Sequence, residues 1–277
     1  MPDAPSFLTS GDPVLSAEVL PPDRADRAAV VAAARAVREA GARVLFFPDA
    51  PGGRARVDAI AAAAAVRGEL GGPCVAHVNC RDRNRVALEA ALLTAAFAGI
   101  DGIKAVTGDP VCRDIGQGVY DVGSVGLVGM AVQQAKDLPV FVGHTVGHTD
   151  PAGSEARLRE KLEVGAHAVV TTPTLDADDL LRTLDRLDPL PVPLLVGLTL
   201  IPSSEVLDYL CAELPAFRVP DRLRAALAGS TSPADALQRG LDAAVSVAEA
   251  VRDRTRGFHV VPAFGRWQGA VPLLKAL

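Results

Sequence analysis

Short apolar runs alternate with longer helical patterns along the whole chain, and they do so eight times. The runs occupy residues 14–20, 43–47, 74–79, 103–107, 139–143, 167–171, 194–198 and 258–261. They are rich in Val, Ile, Leu and Phe, as strands buried on both faces are. Helical patterns fill 24–40, 54–70, 84–98, 122–135, 155–164 and 177–187. Three more, at 203–212, 220–228 and 233–254, precede the last strand, and a short one at 269–276 follows it. Gly41, Gly71, Gly99 and Gly165 stand just past helical stretches, where a C-terminal cap needs a residue at ease in left-handed backbone. Such repetition calls for parallel strands joined by right-handed crossovers. Eight units favour a single (β/α)8 TIM-type barrel over residues 1–277, with extra helices before the eighth strand. An open dinucleotide-binding sheet is disfavoured, because no G-x-G-x-x-G follows the first strand.

Composition supports one large core and narrows the partners. Hydrophobic residues make up 49% and aromatics only 4%, so the core must be built from Ala, Val and Leu. The net charge is -5 with Lys and Arg dispersed, which argues against nucleic acid as a partner. Cys74, Cys80, Cys112 and Cys211 show no C-x-x-C spacing, so neither a metal site nor a disulfide framework is expected. No uncharged apolar stretch reaches membrane-spanning length and no secretory leader is legible, so a cytoplasmic protein is expected.

One charge stands out. Glu18 lies in the run Val14-Leu15-Ser16-Ala17-Glu18-Val19-Leu20, closed by Pro21-Pro22. A carboxylate there must be solvated, paired or protonated, so it either faces a pocket at the strand's open end or has a raised pKa. Both are habits of catalytic acids. In a barrel the strand C-terminal ends share one face, where chemistry sits. Those ends offer Asp49, Asn79-Cys80-Arg81-Asp82, Thr107-Gly108-Asp109, His144, Thr171-Thr172, Ile201-Pro202-Ser203 and Phe264-Gly265-Arg266. Carboxylates and a histidine around one mouth suit proton transfer on a polar heterocycle. Arg81, Asp82, Arg83 and Asn84 read as an ion-paired helix start with Asp82 as its cap.

His77-Val78-Asn79-Cys80-Arg81-Asp82-Arg83-Asn84, Gly99-Ile100 and Ala105-Val106-Thr107-Gly108-Asp109-Pro110 resemble the methylenetetrahydrofolate reductase family. The similarity is greatest to the reductase half of bacterial bifunctional homocysteine methyltransferase–reductases. Glu18-Val19-Leu20-Pro21-Pro22, Val119-Tyr120-Asp121-Val122, Arg159-Glu160-Lys161-Leu162, Ile201-Pro202-Ser203-Ser204 and the stretch from Leu214-Pro215 to Pro220 are similar to further family segments. The resemblance spans roughly residues 14–265. It implies FAD as cofactor, NAD(P)H and a folate as partners, a homo-oligomer, and a place in one-carbon metabolism and methionine biosynthesis. The reaction implied is reduction of 5,10-methylenetetrahydrofolate to 5-methyltetrahydrofolate.

Opening the methylene bridge requires an acid for the departing N10, and Glu18, its pKa raised by desolvation, suits that role. By resemblance Asp109 joins it, near pterin and flavin. Flavin contacts implied by position are His77, Thr107, Gly108, Asp109, Tyr120, His144, His148 and Lys161; folate contacts are Glu18, Asp109, Thr172 and Arg266. Thr171-Thr172-Pro173 stands where the family usually has a Thr-Gln pair, and Phe47-Pro48 where relatives carry hydrogen-bonding residues. Ser154, Arg157 and Glu160 replace the usual diphosphate group, with Glu160 placed to repel phosphate. Two alternatives stay open: a flavin-independent, folate-binding C1 enzyme, and a non-catalytic barrel subunit of a folate or C1 complex.

Overall fold

The computed structural model describes residues 4–9, 11, 13–110, 116–213 and 218–277. Cys112 and the Leu214-Pro215 pair lie outside the described residues. In chain order the elements are α1 (Ser6–Thr9), β1 (Val14–Glu18), α2 (Arg27–Glu39), β2 (Val44–Phe47), α3 (Ala59–Leu70), β3 (Cys74–Asn79), α4 (Arg85–Phe97) and β4 (Gly102–Val106). There follow α5 (Ser124–Gln134), β5 (Val140–His144), α6 (Pro151–Val164), β6 (Ala168–Thr171), α7 (Ala177–Leu187) and β7 (Leu194–Leu198). Last come α8 (Ser204–Glu213), α9 (Asp221–Ala228), α10 (Pro233–Val251), β8 (Gly257–Val260) and α11 (Ala270–Ala276). The strands close in sequence order, β1 to β8 and back to β1, every pair parallel. This is the (β/α)8 architecture the alternation implies, with α8, α9 and α10 before the eighth strand.

Most helix starts are set by side chains that accept the free amides of the first turn. Asp26, Asp58, Asn84, Asp150, Asp176 and Ser232 all cap in this way. These caps explain where the sequence reading drifts. The third helix begins at Ala59 instead of residue 54, because Asp58 caps it and Pro51–Gly53 forms a separate 3-10 turn. The sixth begins earlier than expected, at Pro151, a proline suited to the first helical position behind Asp150. The fourth is capped by Asn84, which accepts from the Ala87 amide at 2.9 Å; Asp82 instead pairs with Arg81.

Two cores result. The larger packs helices on the outer faces of the strands. The smaller fills the barrel, with Val14, Val44, Phe46, Val75, Phe141, Ala168, Val170 and Leu195 in contact with one another. Helix α1, too short to show a sequence period, plugs the lower end. Leu8 is fully buried in the inner cluster, and Phe7 stacks on Phe141 with ring centroids 6.3 Å apart. Arg256 holds the plug by hydrogen bonds to the Leu8 and Gly11 carbonyls. On the outside, α4 exposes Val86, Leu93 and Phe97, the last 93% exposed. No helix among the described residues is long and apolar enough to cross a membrane.

Closure depends on one glycine. A Cβ on Gly257 would lie 2.0 Å from the Val14 carbonyl oxygen, where β8 meets β1. Neither backbone can move without opening the ladder. Gly257→Ala is therefore expected to destabilise the chain by about 3 kcal/mol or more. Gly68→Ala, in α3 with nothing within 4 Å of the added methyl, should stabilise it by about 0.5–1 kcal/mol. Urea midpoints of the two variants check both signs.

Candidate active site

The strand C-terminal ends surround a cavity of about 460 Å³, which continues along the first turns of α6. Glu18, the last residue of β1, lines it together with His77 of β3 and Lys104 of β4. Side chains alternate along a strand, so Ser16 and Glu18 share the inward face of β1. Parallel register sets Ser16 beside His259 of β8, a pairing across 243 residues of chain. The Ser16 hydroxyl lies 2.9 Å from His259 Nδ1 and 3.1 Å from the Phe258 carbonyl. His259 Nε2 in turn lies 3.4 Å from Glu18 Oε1, and His77 Nε2 lies 3.8 Å from the same oxygen. Phe46 underlies both rings edge-on, 4.6 Å from His259 and 6.2 Å from His77 between centroids.

Glu18 is 18% exposed, at a strand's open end as expected, but its pKa moves opposite to expectation. Burial pushes the carboxyl up. The hydrogen bond from His259 and the charges of His77, His259 and Lys104 outweigh that and hold it down at about 2. Glu18 is therefore a carboxylate in the open cavity. Burial drives the histidines the other way: His77 is depressed to about 3, and His259 is also lowered. Burial depresses Lys104 as well, opposed by Glu18.

A second set of contacts fixes the rim. Arg81, 1% exposed, grips Asp82 with two nitrogens and donates to the Asp109 and Ala50 carbonyls at 3.0 and 2.9 Å. The Asp109 carboxylate accepts the Gly52 amide at 2.6 Å, so it lines the cavity while tying the β4 end to the turn after β2. Gly108, at φ 92°, approaches Arg81 so closely that a Cβ would fall 2.8 Å from the Arg81 Cβ. Asp49 accepts the Asn79 amide at 3.0 Å and pairs with Arg83. Thr107 lines the mouth beside these loops.

On the β5–α6 side stand His144, His148, Ser154, Arg157, Lys161 and Thr172. His144 is buried and its pKa is depressed to about 4. His148 bonds the Asp150 backbone at 2.9 Å through Nδ1. Thr172 accepts the Val146 amide at 3.2 Å. Lys161 is 8% exposed, and no hydrogen bond or ion pair to its amine is found among the described residues. Glu160, expected to repel phosphate, is exposed and lies outside the cavity lining. Tyr120 and Arg266 are not brought in: the first is 43% exposed at φ 49°, the second exposed in the turn after β8. Ser16, Lys104 and His259 are site residues the sequence reading passed over. Lys104, between Ile103 and Ala105, satisfies the same test that singled out Glu18.

One buried polar atom of the site awaits a partner: His77 Nε2 has no hydrogen bond. Arg157 lines the cavity further along α6 than Ser154, and Lys161 lines it from the last turn of that helix. Cations and free amides at a helix start fit the diphosphate of a dinucleotide. The donor set toward a flavin ring is thinner, because Pro48 lines the cavity at the end of β2 and has no amide hydrogen to donate. Among the described residues no group of three or more His, Cys, Asp or Glu could hold a metal ion.

A carboxylate lining the mouth is thus joined, inside a (β/α)8 barrel, to a buried histidine and serine. The chain belongs to the methylenetetrahydrofolate reductase family, whose sequence pattern it matches over residues 5–263. No curated protein matches it at a significant level. Among solved structures, a protein from Clostridium thermocellum described as binding two copies of 5-methyl-5,6,7,8-tetrahydrofolic acid superposes with a TM-score of 0.72. That match has 12% identity and covers 97% of this chain and 96% of the other. A 2,3-dimethylmalate lyase gives 0.55 at 18% identity, covering 96% and 81%. A dihydropteroate synthetase gives 0.52 at 16%, covering 96% and 92%. These likenesses show the shared barrel.

The depressed histidines make stability depend on pH. Below an ordinary imidazole pKa of 6.5 the unfolded chain binds protons that folded His77 (about 3) and His144 (about 4) refuse. Stability is thus complete above that value and is lost as pH falls toward about 4, by about 1.4 kcal/mol per pH unit for each histidine. Glu18 adds a further loss between its ordinary 4.5 and about 2. Urea midpoints across this range should show the decline, and His144→Gln should remove its share of the slope; an unchanged slope would refute the assignment.

Proposed function

We propose that this chain reduces a one-carbon-bearing tetrahydrofolate, 5,10-methylenetetrahydrofolate to 5-methyltetrahydrofolate, with Glu18 as the acid for N10. The observation that carries this reading is the Ser16–His259–Glu18 chain at the cavity floor. Ser16 has one hydroxyl proton and two acceptors in reach, His259 Nδ1 and the Phe258 carbonyl. When it donates to His259, the ring keeps its proton on Nε2 and faces an ionised Glu18. When it donates to Phe258, His259 carries its proton on Nδ1, and Nε2 can accept from a protonated Glu18. A turn of the hydroxyl, with exchange of the His259 ring proton from Nε2 to Nδ1, thus lets Glu18 take up a proton from solvent without charging the histidine. A folate filling the cavity would displace water from the carboxylate, enlarge its desolvation and favour the protonated form.

The folate assignment is supported by family membership and by the ligand named for the Clostridium thermocellum neighbour. A bound flavin would supply a two-electron relay between NAD(P)H and the folate. Lys161, Arg157 and Ser154 would hold its diphosphate, with His77, Thr107, Gly108 and His144 toward the ring and Asp109 between flavin and pterin. A second reading, direct hydride transfer from nicotinamide without flavin, is favoured by Pro48 at the β2 end and by the outlying Tyr120. The two readings differ in colour. Purified protein mixed with FAD and desalted should retain a flavin absorbance band under the first and none under the second. Under both, Glu18→Gln should lower turnover by about 100-fold or more with ligand binding intact; unchanged turnover would sink both.

We also infer self-association. The α4 face offers Val86, Leu93 and Phe97 around the small residues Ala90 and Thr94, projections and hollows on one helix that a second copy related by a two-fold axis could fill. Sedimentation should find an oligomer that Leu93→Glu dissociates; a monomeric wild type would exclude it.

A further inference from the structure

We propose that Lys104 contacts the ligand directly, its amine donating a hydrogen bond to the 4-oxo oxygen of a reduced pterin bound beside Glu18. The inference rests on the folate reading and adds to it a specificity-determining residue.

Four observations carry it. Register places Lys104 between His77 of β3 and Phe141 of β5, on the inward face of the barrel, and it lines the cavity. No hydrogen bond or ion pair to its amine is found among the described residues, and Glu18, the carboxylate that acts on it, makes no ion pair with it within 4.0 Å. The charged and titratable groups around it are Glu18, His77, His259 and Lys161. The carboxylate that acts on this amine is already engaged by His259, so nothing among the described residues consumes the donor. Finally, β5 presents Gly143 at the neighbouring position. A Cβ there would sit 3.9 Å from the Lys104 Cε, so this glycine borders the end of the lysine arm and presents no side chain to it.

Lys104 is half-buried and lines the open cavity, so its donor is completed by water or by the ligand that displaces that water. The ligand chemistry selects the acceptor. In a reduced pterin the 4-oxo group is peri to N5, the atom that carries the one-carbon bridge. A donor beside the acid that serves this bridge therefore meets the 4-oxo oxygen before any other acceptor on the ring. A lysine amine donates whether charged or neutral, so the contact survives the depression of its pKa by burial.

The test compares two ligands on the full chain by calorimetry: 5-methyltetrahydrofolate and its 4-amino counterpart, which presents a donor where the first presents an acceptor. Wild type should prefer the 4-oxo ligand by about tenfold or more. Lys104→Met, or Lys104→Leu where the first does not fold, should lose that preference by weakening the 4-oxo ligand alone. Wild-type affinity in either folded variant, or equal weakening of both ligands, overturns the inference while leaving the folate reading intact. A wild type that binds neither ligand removes the folate reading and this inference with it.

Discussion

The pairing of the first strand with the last is the constraint on which both barrel and site depend. It is the seam where chain ends more than 240 residues apart must meet in register, and Gly257 makes room for it by having no side chain against the Val14 carbonyl. The same register sets Ser16 opposite His259, and from there Glu18 within reach of the ring. Closing the barrel and assembling the proton-holding chain are thus one event. A slip of one residue would turn Ser16 and Glu18 outward and bring Leu15 and Ala17 into the barrel.

Inside a small barrel, charge is governed by company more than by depth. Glu18, His77, Lys104 and His259 all suffer desolvation and all four pKa values fall, but for different reasons. The carboxylate is lowered because three potential cations surround it, whereas the bases are lowered because burial disfavours their charged forms. Phe46 and Phe141 form an apolar floor, their rings edge to face at 5.2 Å, so solvent enters only from the mouth. A ligand that closes the mouth therefore alters the hydration of every member of the cluster at once. That is the property a site needs if its acid is to stay ionised while empty and take up a proton when filled.

What was legible in the sequence follows from range. Strands and helices showed because apolar period, glycine caps and length are local signals. Helix starts drifted where an aspartate or asparagine cap, visible only as one polar residue among several, decided the boundary. Helix α1 escaped because four residues carry no period. Glu18 was legible as a charge in an apolar run, and Lys104 satisfied the same criterion. His259 and Ser16 were not legible as partners, because nothing local links positions 243 residues apart. The direction of the Glu18 shift was missed for the same reason: sequence reveals burial, whereas the neighbours that reverse its effect are tertiary facts. Tyr120 and Arg266, carried over by position alone, stand outside the cavity lining.

The departure from the family pattern at the end of β2 leaves that side of the mouth poor in donors. At the end of β2, Pro48 offers no amide, and the nearby carboxylates are engaged: Asp49 by Arg83 and the Asn79 amide, Asp109 by the Gly52 amide. That side is stiff and largely self-satisfied, held by Arg81 across two loops. Across the cavity, Lys104, Lys161 and His77 Nε2 keep unused donor capacity. The asymmetry means that binding energy must come mainly from the β3–β4 interior and the α6 edge. A ligand suited to it presents acceptor atoms and negative charge to that half, and a flatter, less polar face to Pro48. Under the proposed function, a dinucleotide diphosphate along α6 and an oxo-bearing heterocycle over Glu18 would meet that description together.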